Sequence, residues 1–307
     1  MTETTKRVFG RFEIQSLLGR GGMAEVYRAK VLSGARAGWT VAIKRLIPDL
    51  AKKPEYVDLF ASEADLSRYL NHPNIVKVLE VGVKDDVYFI VMELIDGRDV
   101  GQIVRRFKQK GIPWPVDFAV YVAKSLLEAL GYAHTAVGPT GKPLGIVHCD
   151  VSPSNIFVSR TGDLKLGDFG VARARAMHAS DAVMGKPYYL SPEVLAGNVT
   201  PAADLWAATV TLYELLTLER PFTGSTPDEV YAAIRHGRYN PVHRLRPEAP
   251  EELSDVIARA FSRDPDDRFQ TAEEYVEALE PLFDERVGTP LAISALVRGL
   301  FGAPAGA

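Results

Sequence analysis

With 307 residues, 47% of them hydrophobic and 24% charged, the chain can bury a sizeable core as one large domain or two modest ones. A formal net charge of −3 provides no basic field of the kind that draws in nucleic acid, which argues against nucleic acid as a partner. The single cysteine, Cys149, excludes an intrachain disulfide framework and a multi-cysteine zinc site, and it fits a reducing compartment.

The chain opens on "MTETTKRVFG", which is polar and lacks the apolar core of a signal peptide. Residues 1–8 are expected to be disordered. The next ninety or so residues read as β-rich. The runs "RFEIQSLL", "EVYRAKVL", "WTVAIKRL", "IVKVLEVGV" and "VYFIVMEL" concentrate Val, Ile, Tyr and Phe between Gly, Asp and Asn turns. One helical pattern interrupts them, "EYVDLFASEADLSRYL", with Val57, Phe60, Ala64 and Leu66 near helical spacing and a stop at Asn71, His72 and Pro73.

After Gly97 the character changes. "PVDFAVYVAKSLLEALGYAH", "AADLWAATVTLYELLTL", "PDEVYAAIRHG", "EELSDVIARAF" and "TAEEYVEALEPLF" carry the helical period, several of them opened by Pro, Asp, Ser or Thr. The insertion "VGPTGKPLG" reads as a turn-rich loop or hairpin. The tail segment "PLAISALVRGLFG" is too short, and too interrupted by Arg298, for the ~20 apolar residues of a membrane span, and it reads as a packed amphipathic helix. The final "GAPAGA" is expected to be disordered. The fold class is therefore α+β. A small sheet-plus-helix lobe over 9–95 precedes a larger helical lobe over 96–283, with a hinge near 93–99 and a C-terminal helix or tail over 284–307. A cytoplasmic location is expected.

Five features carry chemistry. "LGRGGMAEVYRAK" sets Gly19, Gly21 and Gly22 between two strands, where backbone N–H groups can approach phosphate oxygens without Cβ interference. "VAIK" ends in Lys44 on the following strand, and Glu63 lies mid-helix nineteen positions on, suited to steer it. "IVHCDVSPSNIFV" carries His148, Asp150 and Asn155, and "LKLGDFG" carries Asp168. A carboxylate to orient a hydroxyl, plus an amide and a second carboxylate for metal ions, is the set that phosphoryl transfer needs. Taken singly, each residue is better read as structural or as a solvated charge. The ordered series, closed by "SPE", is not explained that way.

The series resembles the eukaryotic-type (Hanks-type) protein kinases, in particular the bacterial serine/threonine group, from about Phe9 to Phe283. That resemblance implies the bilobal kinase fold, ATP as the phosphate donor, Mg²⁺ (or Mn²⁺ in its place) and a protein substrate. It implies that Lys44 binds the α- and β-phosphates and pairs with Glu63, that Asp150 is the catalytic base, and that Asn155 and Asp168 hold the metal. Leu18 and the glycines would cover the nucleotide. Val26, Ala42 and Phe157 would sandwich the purine, and Met92 would be the gatekeeper. The backbone of Glu93 and Ile95 would meet the adenine, and Asp99 the ribose. Glu193 and Arg268 resemble a buried ion pair of the family, and Asp204 its anchor for the catalytic-loop backbone.

Three departures stand out. Ala24 replaces the third loop glycine. Cys149 replaces an arginine that often receives a phosphorylated activation loop, and "VARARAMHASDAVMG" holds Ser180 as its only hydroxyl. Activation without loop phosphorylation is therefore expected. The opposing reading pairs a phosphorylated Ser180 with Arg173, Arg175 or Lys186. Finally, Ser152 replaces a lysine that neutralises the transferring phosphoryl group, while "GKPYYLSPE" brings in Lys186, which is expected to supply that charge. A pseudokinase-like ATP-binding scaffold is the alternative, set against the presence of Lys44, Glu63, Asp150, Asn155 and Asp168. A small-molecule kinase is disfavoured by "SPE", "DLW" and "RF".

Overall fold

The computed structural model describes residues 7–169 and 186–302. It divides into two compact units, one formed by residues 7–71 and 76–95, the other by 72–75, 96–169 and 186–302.

The first unit is a six-stranded antiparallel sheet with one helix. Its strands are β1 (Arg7–Phe9), β2 (Phe12–Arg20), β3 (Ala24–Val31), β4 (Thr40–Leu46), β5 (Val78–Lys84) and β6 (Val87–Glu93), in the spatial order β1-β2-β3-β4-β6-β5. Helix α1 (Pro54–Ser67) starts on a proline and buries Phe60, Glu63, Ala64 and Ser67. The period of two in β4 explains why its residues are almost all buried. Val41 and Ile43 join Phe12, Ala29, Val31, Phe89 and Val91 on one face, while Leu46 joins Ala24, Ile90, Phe60 and Ala64 on the other. Arg7 and Val8, expected to be disordered, instead pair with Ile14 and Glu13, and the Phe9 ring meets Phe89 edge-on at 5.4 Å.

The second unit is mainly helical. Its helices are α2 (Val100–Lys110), α3 (Val116–His134), α4 (Pro201–Thr217), α5 (Pro227–His236), the single turn α6 (Val242–Leu245), α7 (Glu251–Ala260), α8 (Ala272–Leu279) and α9 (Pro290–Phe301). A three-stranded sheet of β7 (Gly97–Asp99), β8 (Ile156–Ser159) and β9 (Leu164–Leu166) accompanies them. Residues 72–75 belong here because Ile75 bridges Leu166 and Asn74 bonds the Leu164 and Leu166 backbone. The insertion at 138–145 closes as a small hairpin through a Val137–Pro143 bridge. Among the described residues no helix is long and apolar enough to cross a membrane.

The core of this unit is α3 against α4, with Trp206 stacked on Phe222 (5.5 Å) and near Phe261 (5.0 Å). Beside it lies a buried ion pair. Arg268 is 2% exposed and meets Glu193 in a bidentate pair at 2.8 and 3.0 Å. Its Nε donates to Ser262 O at 2.7 Å, and its guanidinium lies over Trp206. Each of its three nitrogens thus donates, as burial of a charge requires. Replacing Arg268 with Met strands the Glu193 carboxylate. Urea unfolding of Arg268→Met is expected to show a loss of about 3–5 kcal/mol, and a loss below about 1 kcal/mol would place the pair among inconsequential surface ones.

Candidate active site

In the small unit, four of the sequence-selected residues fall on one sheet face. Val26 is the cross-strand partner of Lys44, Ala42 is that of Met92, and Ala42 and Lys44 are two apart on β4. Lys44 Nζ donates to Glu63 Oε1 of α1 at 2.5 Å, with both side chains buried. Pairing is what makes a buried ammonium tolerable, and it aims a lysine stem that would otherwise sample many rotamers. Leu18 and Gly19 lie near the end of β2, and Gly21 and Gly22 form the turn into β3, closed by Gly21 N–H to Ala24 O. Glu93 ends β6, its N–H bonded to Lys77 O and its side chain accepting from Lys77 N–H, with Ile95 just beyond.

In the large unit, the segment 148–155 is an irregular loop fastened at several points. Asp204, near the start of α4 and 1% exposed, accepts from His148 N–H (2.7 Å), Cys149 N–H (2.9 Å) and His134 Nε2 (2.8 Å). Just after these anchors Cys149 has φ +63°, a left-handed conformation that a β-carbon disfavours. The same strain recurs at Asp168, φ +53°. His148 is fully buried, with Nε2 on Gly167 O (3.0 Å) and Nδ1 accepting from Asp150 N–H (3.2 Å). The imidazole therefore joins the Asp150 loop to the backbone just before Asp168.

Asn155 donates both amide protons to Asp150, one to its backbone oxygen (2.8 Å) and one to Oδ2 (2.9 Å). That leaves the Asn155 amide oxygen as an acceptor, the atom a hard cation would take. Phe157 follows on β8 and pairs in register with Asp99 of β7. Asp99 caps α2 by accepting from Gln102 N–H at 2.8 Å. Burial pushes the Asp99 carboxyl up, against the pull of the Gln102 N–H and of Arg105 and Lys186.

Lys186 Nζ donates to the hydroxyls of Ser152 (2.6 Å) and Ser154 (2.5 Å) and stands 3.9 Å from Asp150 Oδ1. The ammonium thus hangs from the residue that occupies the expected lysine position. Ser154 had no signal in the sequence beyond being a hydroxyl two residues from Ser152. Ser180, Arg173 and Arg175 lie outside the described residues. No group of three His, Cys, Asp or Glu side chains able to hold a metal occurs among the described residues. Asn155 and Asp168 fit a magnesium ion nonetheless, because that ion is ordinarily held by one or two protein oxygens, substrate phosphates and water.

Residues 12–279 match the family model of the protein kinase domain. The chain belongs to the protein kinase family. This kinase is 35% identical over 300 residues to the tyrosine-protein kinase MasK of Myxococcus xanthus, covering 96% of this chain and 46% of that one. It is 37% identical to a probable serine/threonine-protein kinase, SCO3848, of Streptomyces coelicolor (98% and 44% covered). It is 33% identical to serine/threonine-protein kinase PrkC of Bacillus subtilis (91% and 41%). The chain spans less than half the length of these relatives. Among solved structures, the kinase domain of Mycobacterium tuberculosis PknI superposes with a TM-score of 0.69 at 25% identity, covering 92% of this chain and 99% of that one. The α+β protein kinase fold expected from the sequence is the one observed.

Burial holds the His148 imidazole below its ordinary 6.5, against the opposing fields of Asp204 and Asp150. As pH falls through 6.5 the unfolded chain takes up a proton that the folded chain refuses. The contribution of His148 is therefore complete above 6.5 and lost below it. Between pH 7 and 5 the unfolding free energy of the wild type should fall more steeply than that of His148→Gln, by up to about 1.4 kcal/mol per pH unit. Parallel slopes in urea titrations would show that the imidazole is protonated in the fold.

Proposed function

We propose that the chain is an ATP- and Mg²⁺-dependent protein serine/threonine kinase. A substrate hydroxyl oxygen bonds to the γ-phosphorus, the bond from that phosphorus to the β–γ bridging oxygen breaks, ADP leaves, and the hydroxyl proton passes to the Asp150 carboxylate. Family membership and the two serine/threonine relatives support the acceptor class. The observation that carries the reading is the Asp150 carboxylate, oriented by Asn155 and flanked by Lys186 at 3.9 Å. Lys44, steered by Glu63, binds the α- and β-phosphates. Gly19, Gly21 and Gly22 offer them backbone N–H groups, and Leu18, Val26, Ala42, Met92 and Phe157 enclose the base. The Glu93 and Ile95 backbone and Asp99 complete the nucleoside contacts. Asn155 and Asp168 hold the metal, which when bound neutralises phosphate charge.

Lys186 supplies positive charge where the γ-phosphoryl group transfers. Ser152 and Ser154 fix two of its three donors, which points a mobile stem at a single place. Transfer does not require phosphorylation of 171–185, since Cys149 offers no receptor charge. A cytoplasmic setting fits the lone cysteine.

Incubation with Mg²⁺, labelled ATP and a general acceptor protein should yield phosphoserine and phosphothreonine, with no transfer by Asp150→Asn. Phosphotyrosine alone would move the chain to the specificity that MasK carries in its name. ATP binding without any transfer would favour the scaffold. Lys186→Ala should lower kcat by on the order of 10²-fold with ATP affinity little changed, and an unchanged kcat removes it from the site. Ser180→Ala should stay active, and its inactivity would show that loop phosphate is needed.

A further inference from the structure

Helix α9 lies beyond the residues that match the kinase family model, yet it is fastened to functional elements. Residues 280–289 first cross α3. Lys124 Nζ meets Glu280 Oε1 at 3.4 Å and lies over the Phe283 ring, and Asp284 N–H donates to Asp117 Oδ1. Thr289 then caps α9, accepting from Ala292 N–H at 3.2 Å.

The helix buries Ile293, Ser294 and Leu300, and it is bonded to two short segments. One is the β8–β9 turn. There Gly162, at φ +92°, approaches the Pro290 carbonyl so closely that a β-carbon would sit 1.7 Å from its oxygen, and Ser294 Oγ donates to Arg160 O. Arg160 is itself tied to Asp96, by its N–H to Asp96 O at 2.9 Å and by its guanidinium to Asp96 Oδ2 at 2.7 Å. The other segment is the β7–α2 corner. Arg106 of α2 donates to Leu300 O at 3.0 Å, filling a carbonyl that the helix end leaves without an intrahelical partner. Arg98 of β7 lies over the Phe301 ring at 5.2 Å.

Asp99 stands between these attachments. Asp96 and Arg98 precede it, Arg106 follows it, and its own carboxylate closes the first turn of α2. Among the described residues no hydrogen bond or ion pair joins α9 to Asp99, so the helix acts on it by fixing the backbone on both sides.

We infer that α9 is a strut for the β7–α2 corner, holding Asp99 in place and so coupling nucleotide affinity to the docking of this C-terminal helix. The inference rests on the assignment of Asp99 as a nucleoside contact. An event that lifts α9 would loosen the Asp99 cap and weaken ATP binding.

The test compares Leu300→Asp, which buries a charge in the α9 seat, with the milder pair Ser294→Ala and Arg106→Ala, and with Leu291→Ser on the exposed face as control. ATP dissociation constants by calorimetry and amide exchange at Gln102, whose N–H is held by Asp99, are the readouts. The docking variants should raise the ATP dissociation constant about 5-fold or more and speed Gln102 exchange. The control should do none of this. In an Asp99→Ala background the docking variants should add no further loss. If Asp99→Ala weakens ATP binding while the docking variants leave affinity or Gln102 exchange unchanged, the strut is overturned and the nucleotide assignment stands. Full additivity with Asp99→Ala likewise overturns it. If Asp99→Ala has no effect on ATP binding, the assignment itself fails and the coupling falls with it.

Discussion

The Asp204 carboxylate is the constraint on which the catalytic loop depends. Two consecutive N–H groups, of His148 and Cys149, donate to its two oxygens and pin the chain where it enters the turn. The next backbone rotation, about the N–Cα bond of Cys149, is left-handed at φ +63°, a conformation that costs of order 1–3 kcal/mol for a residue with a side chain. Charge-assisted bonds to a carboxylate 1% exposed are strong enough to hold it. Once the turn is held, Asp150 emerges in one direction, and His148 can reach both the Asp150 N–H and Gly167 O. The loop is therefore built from α4 outward.

The charge arrangement around Asp150 follows from that frame. A lysine carried on the loop itself would need only its own stem to reach a phosphate. An ammonium delivered from residue 186 arrives from another segment and needs something to stop it. Ser152 and Ser154 provide two hydroxyl acceptors at 2.6 and 2.5 Å, so the serine that stands in place of one positive charge helps hold the other. The same ammonium contributes to the field at Asp99. Because Coulomb attraction depends on where a charge ends rather than on which segment carries it, the two wirings are equivalent in kind.

Much of this was legible from the residues. Five strand runs and seven helices stand out because their apolar periods are regular, and Lys44 and Glu63 meet as a strand lysine and a mid-helix carboxylate suited to steer it. Helix α2 was not selected, since Arg105, Arg106, Lys108 and Lys110 hide the apolar stripe. Val100, Ile103, Val104 and Phe107 recur at helical spacing after the Asp99 cap and before Gly111, so the signal was present. The three short strands β7–β9 had no such signal, because three or four residues are too few for a period. Arg7 and Val8 pair with Ile14 and Glu13 in a strand that ends at Phe9, whose ring meets Phe89, and a contact across eighty residues leaves no trace in local composition.

The C-terminal helix separates what pattern can show from what packing decides. Its apolar residues announced an amphipathic helix but not its seat. The seat is set by Gly162, far away in the chain, where the missing β-carbon admits the Pro290 carbonyl, and by Arg106, whose charge reads locally as solvated surface. Both residues gain their meaning only when α9 is in place. The interactions are modest one by one. They fall, however, on both sides of a single backbone corner. A helix attached to one side of Asp99 could tilt without consequence, whereas one attached to both sides cannot move without carrying the corner with it.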